Sequence, residues 1–96
     1  MITSFADKGT EDLYHGRVTR DVHAFPPDIL KTAWRKLDMV NAAVKLEDLR
    51  VPRGNHLEAL QGKLAGKHSI RVNDQWRIVF RWEGGNALQV QLTDYH

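Results

Sequence analysis

Apolar residues recur at two different periods along this chain, and the period changes near residue 56. In "FPPDILKTAWRKLDMVNAAVKL" the residues Leu30, Ala33, Trp34, Leu37, Val40 and Val44 form a stripe at helical spacing, while Lys31, Arg35 and Lys36 face elsewhere. Pro26 and Pro27 are tolerated in a first turn, and Asp28 then lies where the helix dipole favours an anion. The stripe predicts that Trp34 belongs to the core. Upstream, "ITSF" reads as a short first strand and "KGTEDLYHG" as a brief helix ended by Gly16. "VPRGN" reads as a loop.

Beyond that loop the period is two. "HLEALQ" is a strand candidate, and "HSIRV" sets Ile70 and Val72 on one face with Ser69 and Arg71 on the other. "WRIVFRW" sets Trp76, Ile78, Phe80 and Trp82 against Arg77, Val79 and Arg81, and "ALQVQL" repeats the alternation. Directly opposed residues share a face, so loop length fixes which residues meet. A two-residue turn at Gly84-Gly85 would oppose Trp82 to Ala87 and Phe80 to Gln89, which mixes the faces. A three-residue loop, Gly84-Gly85-Asn86, instead pairs Trp82 with Leu88, Phe80 with Val90 and Ile78 with Leu92, with Asn86 at positive φ. The same parity requires an odd loop, Asn73-Asp74-Gln75, one hairpin earlier. The expected register puts Arg81 opposite Gln89 and Arg77 opposite Thr93, with Tyr95 one diagonal step from Arg77.

Helices first and a meander second predict an α+β class: two N-terminal helices packed on one face of a small, mainly antiparallel, twisted sheet. Ninety-six residues leave room for one domain, spanning residues 1–96. An apolar fraction of 42% and a charged fraction of 27% are those of an ordinary globular protein. No apolar run is long enough for a membrane span. "MITSFADKG" lacks the features of a secretory signal, and with no cysteine a reducing compartment is permitted. The cytoplasm is the expected location.

Charge changes the picture more than composition does. Residues 50–82 hold seven cations (Arg50, Arg53, Lys63, Lys67, Arg71, Arg77 and Arg81) against Glu58 and Asp74, an excess of five in a chain whose net charge is +2. That suits a polyanionic partner, although a solvated sheet face gives the same balance. The expected non-core face carries Arg71, Arg77, Arg81, Gln89 and Gln91, and Asp94-Tyr95-His96 falls beside it. Asp94 and His96 would point to the core face on a regular strand, so the strand is expected to end or bend there.

Such a group could cleave RNA without metal. The 2′-hydroxyl must lose a proton, the phosphorane must be stabilised and the 5′-oxygen must gain a proton. Histidine titrates near the needed pH. A guanidinium matches two phosphate oxygens and stays charged. Tyrosine can bond phosphate or stack on a base. A Tyr-His pair that merely covers a sheet edge is the competing reading. His15, His23, His56, His68 and His96 lack metal-ligand spacing, so neither metal nor cofactor is expected. No Walker or dinucleotide phosphate loop is present, and Ser4 and Ser69 lack a nucleophile context. No helix-turn-helix pair with a basic recognition helix is visible.

"LEALQGKLAGKHSIRVNDQWRIVFRW" followed by "DYH" resembles the HigB branch of the RelE-type toxins of bacterial toxin-antitoxin systems. "SIRVNDQWRI" and "DYH" are its specific parts, and the likeness extends over nearly the whole chain. The resemblance implies a toxin that cuts mRNA in the ribosomal A site without metal. It also implies inhibition by a helix-turn-helix antitoxin of the HigA type, through which alone the pair reaches operator DNA. By position, Arg77 matches the phosphate-contacting arginine and Asp94, Tyr95 and His96 the terminal active-site residues, with His96 the base. Arg71, Arg81, Lys63, Lys67 and Gln61 complete the expected RNA-binding set. Where some members have "HPLKG" this chain has "EALQG", with Glu58 for histidine and Gln61 for lysine; Lys63 or Lys67 is then the replacement cation. The alternative that this substitution raises is a catalytically weak or inactive regulator that binds RNA or its antitoxin.

Overall fold

The computed structural model describes residues 1–94. The first helix, α1 (Lys8–Tyr14), begins because the Asp7 carboxylate accepts the N–H of Thr10 at 2.8 Å, and it closes at Gly16, whose φ is +73°. A short α2 (Arg20–His23) follows, capped by Thr19. A 3-10 turn at Pro27–Ile29 leads into α3 (Leu30–Ala42). The helical layer thus has one more element than the sequence pattern predicts.

Four strands form one antiparallel meander: β1 (Glu58–Ala59), β2 (Lys67–Arg71), β3 (Trp76–Glu83) and β4 (Asn86–Asp94). The helices lie on one face. Leu13, Val22, Ile29, Ala33, Leu37 and Val40 pack there with Ile70, Ile78, Phe80, Ala87, Val90 and Leu92. The α+β expectation holds.

Several details differ from the sequence reading. Trp34 is 43% exposed, and Val44 is exposed because α3 ends at Ala42. Of the stripe, Ala33, Leu37 and Val40 are buried; Trp34 sits at its edge, where its indole N–H donates to the Tyr14 carbonyl at 3.2 Å. That carbonyl is one that the end of α1 leaves without a helical partner. The "HLEALQ" strand shrinks to two paired residues before the 3-10 turn at Gly62–Leu64. "VPRGN" contains a 3-10 turn, Arg53–Asn55, and buries Asn55, whose amide donates to the carbonyls of Leu49 at 3.2 Å and Val51 at 3.4 Å.

The β3–β4 hairpin resolves the parity problem in an unexpected way. Its turn is the two-residue Gly84-Gly85, both at positive φ, as tight hairpins require. Trp82 opposes Ala87 and Arg81 opposes Leu88, so the expected pairs Trp82–Leu88 and Arg81–Gln89 do not form. A bulge then shifts the register between Val79 and Arg81, with Gln89, rather than Asn86, at φ 53°. Beyond it Val79 meets Gln91, Ile78 meets Leu92 and Arg77 meets Thr93. The three-residue loop at Asn73–Gln75 is as expected, with Arg71 opposite Arg77.

The "ITSF" segment runs parallel to β4 as two isolated bridges, Ile2 with Ala87 and Phe5 with Val90, one on each side of the bulge. Ser4 fills the gap: its hydroxyl accepts the N–H of Gln89 at 2.8 Å. Further along, Thr10 Oγ1 accepts the N–H of Leu92 at 2.9 Å. The open edge of β4 is covered in this way.

Candidate functional site

Arg77 is the centre of the helix-free face. It lies in mid-sheet, and its side chain is only 13% exposed. Among the described residues, three groups hold the guanidinium. Nε donates to Ser69 Oγ at 2.8 Å, Nη2 donates to the carbonyl of His56 at 2.7 Å, and Nη2 lies 3.5 Å from Glu58 Oε1. Each partner follows from local structure. Ser69 shares the face because β2 pairs in parity with β3, and Glu58 because it opposes Ser69. The His56 carbonyl is available because His56 turns left-handed at φ 45° to enter β1. A planar guanidinium fork held in place by its neighbours is suited to gripping a phosphate.

The face is less open than its alternation suggests. Ser69 and Val79 are buried on it. Arg71 is ion-paired with Asp74 in the β2–β3 loop. Lys67 lies opposite Arg81, a like-charge pair four residues along β3 from Arg77, about 13 Å at a strand's rise. Gln61 and Lys63 are exposed around the 3-10 turn after β1. Expected and observed neighbours therefore differ. Arg77, Arg71, Arg81 and Lys67 share one face, whereas Gln61 and Lys63 flank it in a loop.

Asp94 does not join them. The ladder continues to Trp76 opposite Asp94, so the strand neither ends nor bends before this residue. Asp94 therefore has the parity of the helix-covered face. At the exposed rim its Oδ2 accepts from the Gln75 amide at 2.8 Å. Tyr95 and His96 lie outside the described residues.

Two groups escaped the sequence reading of the site. In the sequence Glu58 shows only as standing in a histidine's place, yet it is a carboxylate beside Arg77. Ser69 lacks a nucleophile context in the sequence, and in the structure its hydroxyl accepts from Arg77 Nε. Alternation carries the signal for Ser69, which shares the parity of Arg77, whereas Glu58 reaches that face only through the register of the short β1. Among the described residues no three His, Asp or Glu side chains stand close enough to hold a metal.

The family model of the RelE-like toxin of the type II toxin-antitoxin system HigB matches residues 3–96. Toxin HigB-1 of Vibrio cholerae serotype O1 is 40% identical over 95 residues, covering 99% of this chain and 98% of that protein. Endoribonuclease HigB of Proteus vulgaris is 32% identical over 96 residues, covering 100% of both. Among solved structures, the YoeB-YefM complex from Staphylococcus aureus matches with a TM-score of 0.60 at 14% identity, covering 100% of this chain and 98% of that one, which is a likeness of fold.

Proposed function

The chain belongs to the HigB-like family of RelE-like toxins of type II toxin-antitoxin systems, and on that premise we propose that it is an endoribonuclease that cuts mRNA on the ribosome. The observation that carries this reading is the clamped guanidinium of Arg77 on the helix-free face. A base removes the proton of a 2′-hydroxyl, and the 2′-oxygen attacks the adjacent phosphorus. Negative charge then accumulates on the phosphoryl oxygens, where Arg77 stabilises it. The P–O5′ bond breaks, the 5′-oxygen takes up a proton, and a 2′,3′-cyclic phosphate remains. His96 is the base in this scheme, Tyr95 and Asp94 assist it, and Glu58 and Ser69 position Arg77. Lys67, Arg71 and Arg81 hold flanking phosphates, with Lys63 and Gln61 at the margin. No metal enters any step.

A type II toxin has an antitoxin as its partner. We propose one of the helix-turn-helix HigA type, acidic where it meets residues 50–82, which carries the pair to operator DNA. The place of action is the cytoplasm. Among the described residues no helix is long and apolar enough to cross a membrane.

The second reading, a regulator that binds without cutting, is favoured by one observation. The carboxylate of Glu58 competes with phosphate for Arg77, and Gln61 adds no compensating charge. Inducing the wild type, Arg77→Ala and His96→Ala in cells while mapping mRNA ends separates the two. New ends in the wild type alone are expected; none in any strain would establish the regulator, and normal cleavage by Arg77→Ala would remove Arg77 from the mechanism.

A further inference from the structure

One anchor of Arg77 is a carbonyl in a loop, and a loop holds a side chain still only where something holds the loop. The carbonyl is that of His56, which accepts from Arg77 Nη2 at 2.7 Å. His56 lies in the left-handed region, at φ 45° and ψ 54°. A residue with a Cβ rarely adopts that conformation, and it persists where the surroundings dictate it. Two backbone hydrogen bonds shape the turn that leads into it. The Asn55 N–H donates to the Pro52 carbonyl at 3.0 Å and the His56 N–H to the Arg53 carbonyl at 3.1 Å. Neither bond reaches beyond the turn.

The side chain of Asn55 does. It has no exposed surface. Its amide nitrogen donates to the carbonyls of Leu49 and Val51 and faces Met39 Sδ at 3.8 Å. Its amide oxygen accepts from the Lys36 ammonium. An ammonium can only donate and a carbonyl can only accept, so a single orientation of the amide serves all of them. Lys36 and Met39 stand on α3, and Leu49 in the 3-10 turn Leu46–Arg50. Asn55 thus fastens the Arg53–Asn55 turn to the helical layer, one residue before the carbonyl that meets Arg77.

We infer that Asn55 positions Arg77 from outside the sheet, by fixing the loop whose His56 carbonyl holds the guanidinium. The inference rests on reading Arg77 as the group that stabilises the phosphorane. Ser69 and Glu58 steady Arg77 from neighbouring strands, and Asn55 adds a support that begins on α3. A buried amide meets no substrate. Its effect therefore falls on the order of Arg77 and on kcat, rather than on KM.

The test follows two quantities in the intact protein: the NMR order parameter of the Arg77 Nε–Hε bond, and the kinetics of cleavage of ribosome-bound mRNA. Asn55→Ser withdraws the amide from Leu49, Val51 and Lys36. It is expected to lower the order parameter from about 0.85, that of a rigid group, to below about 0.6. It is also expected to lower kcat about 10-fold with KM little changed. In an Arg77→Ala background the same substitution is expected to add less than about 2-fold, because the group it positions is gone. A further loss of about 10-fold there, or an unchanged order parameter, overturns the inference.

If Asn55→Ser does not fold, Lys36→Met reads the same two quantities, since it releases the amide oxygen and leaves Asn55 in place. A loss of about 3-fold in kcat is expected, and Lys36→Arg, which keeps a donor, is expected to recover most of it. A loss confined to KM, which removal of a charge alone would give, overturns the inference. If the wild type cuts nothing, the proposed nuclease reading fails while the order parameter still decides whether Asn55 holds Arg77.

Discussion

The hydroxyl of Ser69 on β2 accepts a hydrogen bond from Arg77 Nε on β3 at 2.8 Å, and both atoms belong to residues largely withdrawn from water. An arginine carries many rotamers, and fixing it before substrate arrives removes an ordering cost from the reaction.

Ser69→Ala is therefore expected to lower cleavage about 10-fold through kcat, with KM little changed, whereas Arg77→Ala should cost about 10²–10³. Ser69→Thr, which restores a hydroxyl, should recover most of the loss. Single-turnover assays on ribosome-bound mRNA distinguish these outcomes; full activity in Ser69→Ala would deny the serine any positioning role.

Asp12 gives the fold an acid-sensitive point. Its buried carboxylate joins Lys8 at 2.8 Å, Arg17 at 3.1 Å and the Thr19 hydroxyl at 3.0 Å, tying α1 to the start of α2. The hydrogen bond from Lys8 above all, with those from Arg17 and Thr19, holds its pKa down to about 2 from an ordinary 3.8. A depressed carboxylate contributes stability that is fully present above its unfolded pKa and is lost as pH falls through the folded one. Asp12→Asn should thus melt below the wild type at neutral pH, and the gap should narrow between about pH 4 and pH 2. Thermal melts across that window provide the check, and a gap constant down to pH 2 would contradict it.

Gln89 holds a conformation in mid-strand that favours glycine. Gln89→Gly should leave stability unchanged or raise it by up to about 1 kcal/mol, and Gln89→Val should cost about 1–2 kcal/mol. Urea titrations that rank valine above glycine would refute the bulge.

Removing Tyr95 and His96 should abolish cleavage while the far-ultraviolet spectrum and antitoxin binding persist, because the helices and the four paired strands lie within residues 1–94. A truncated chain that still cuts would exclude the terminal residues from catalysis.

What could be read before the structure follows from what alternation encodes. Two-residue periodicity reports faces, so Ile70, Ile78, Phe80 and Leu92 were assignable to the core and Arg77 to the opposite side. Parity cannot distinguish an odd loop from an even turn followed by one extra residue. The register at Arg77–Thr93 was therefore legible, while Gly84-Gly85 and the Gln89 bulge were not. Helical spacing places Trp34 in the stripe but does not tell its centre from its margin, where the residue is 43% exposed. Asp12 reads as an ordinary surface carboxylate until Arg17 and Thr19 fold back on it. The contact of Glu58 with Arg77 depends on where a two-residue strand begins, which propensity does not determine.

The pairing of the first residues with β4 also governs when the protein can come into being. Thr3 and Ser4 meet Ala87 and Gln89 across sequence separations of 84 and 85 residues. At about 5–20 residues per second of synthesis, the opening segment waits on the order of ten seconds for its partner. Until β4 leaves the exit tunnel, a nascent chain carries Arg77 on an unfinished sheet. The sheet that sets Arg77 in place is thus finished only once residues 86–94 have been made.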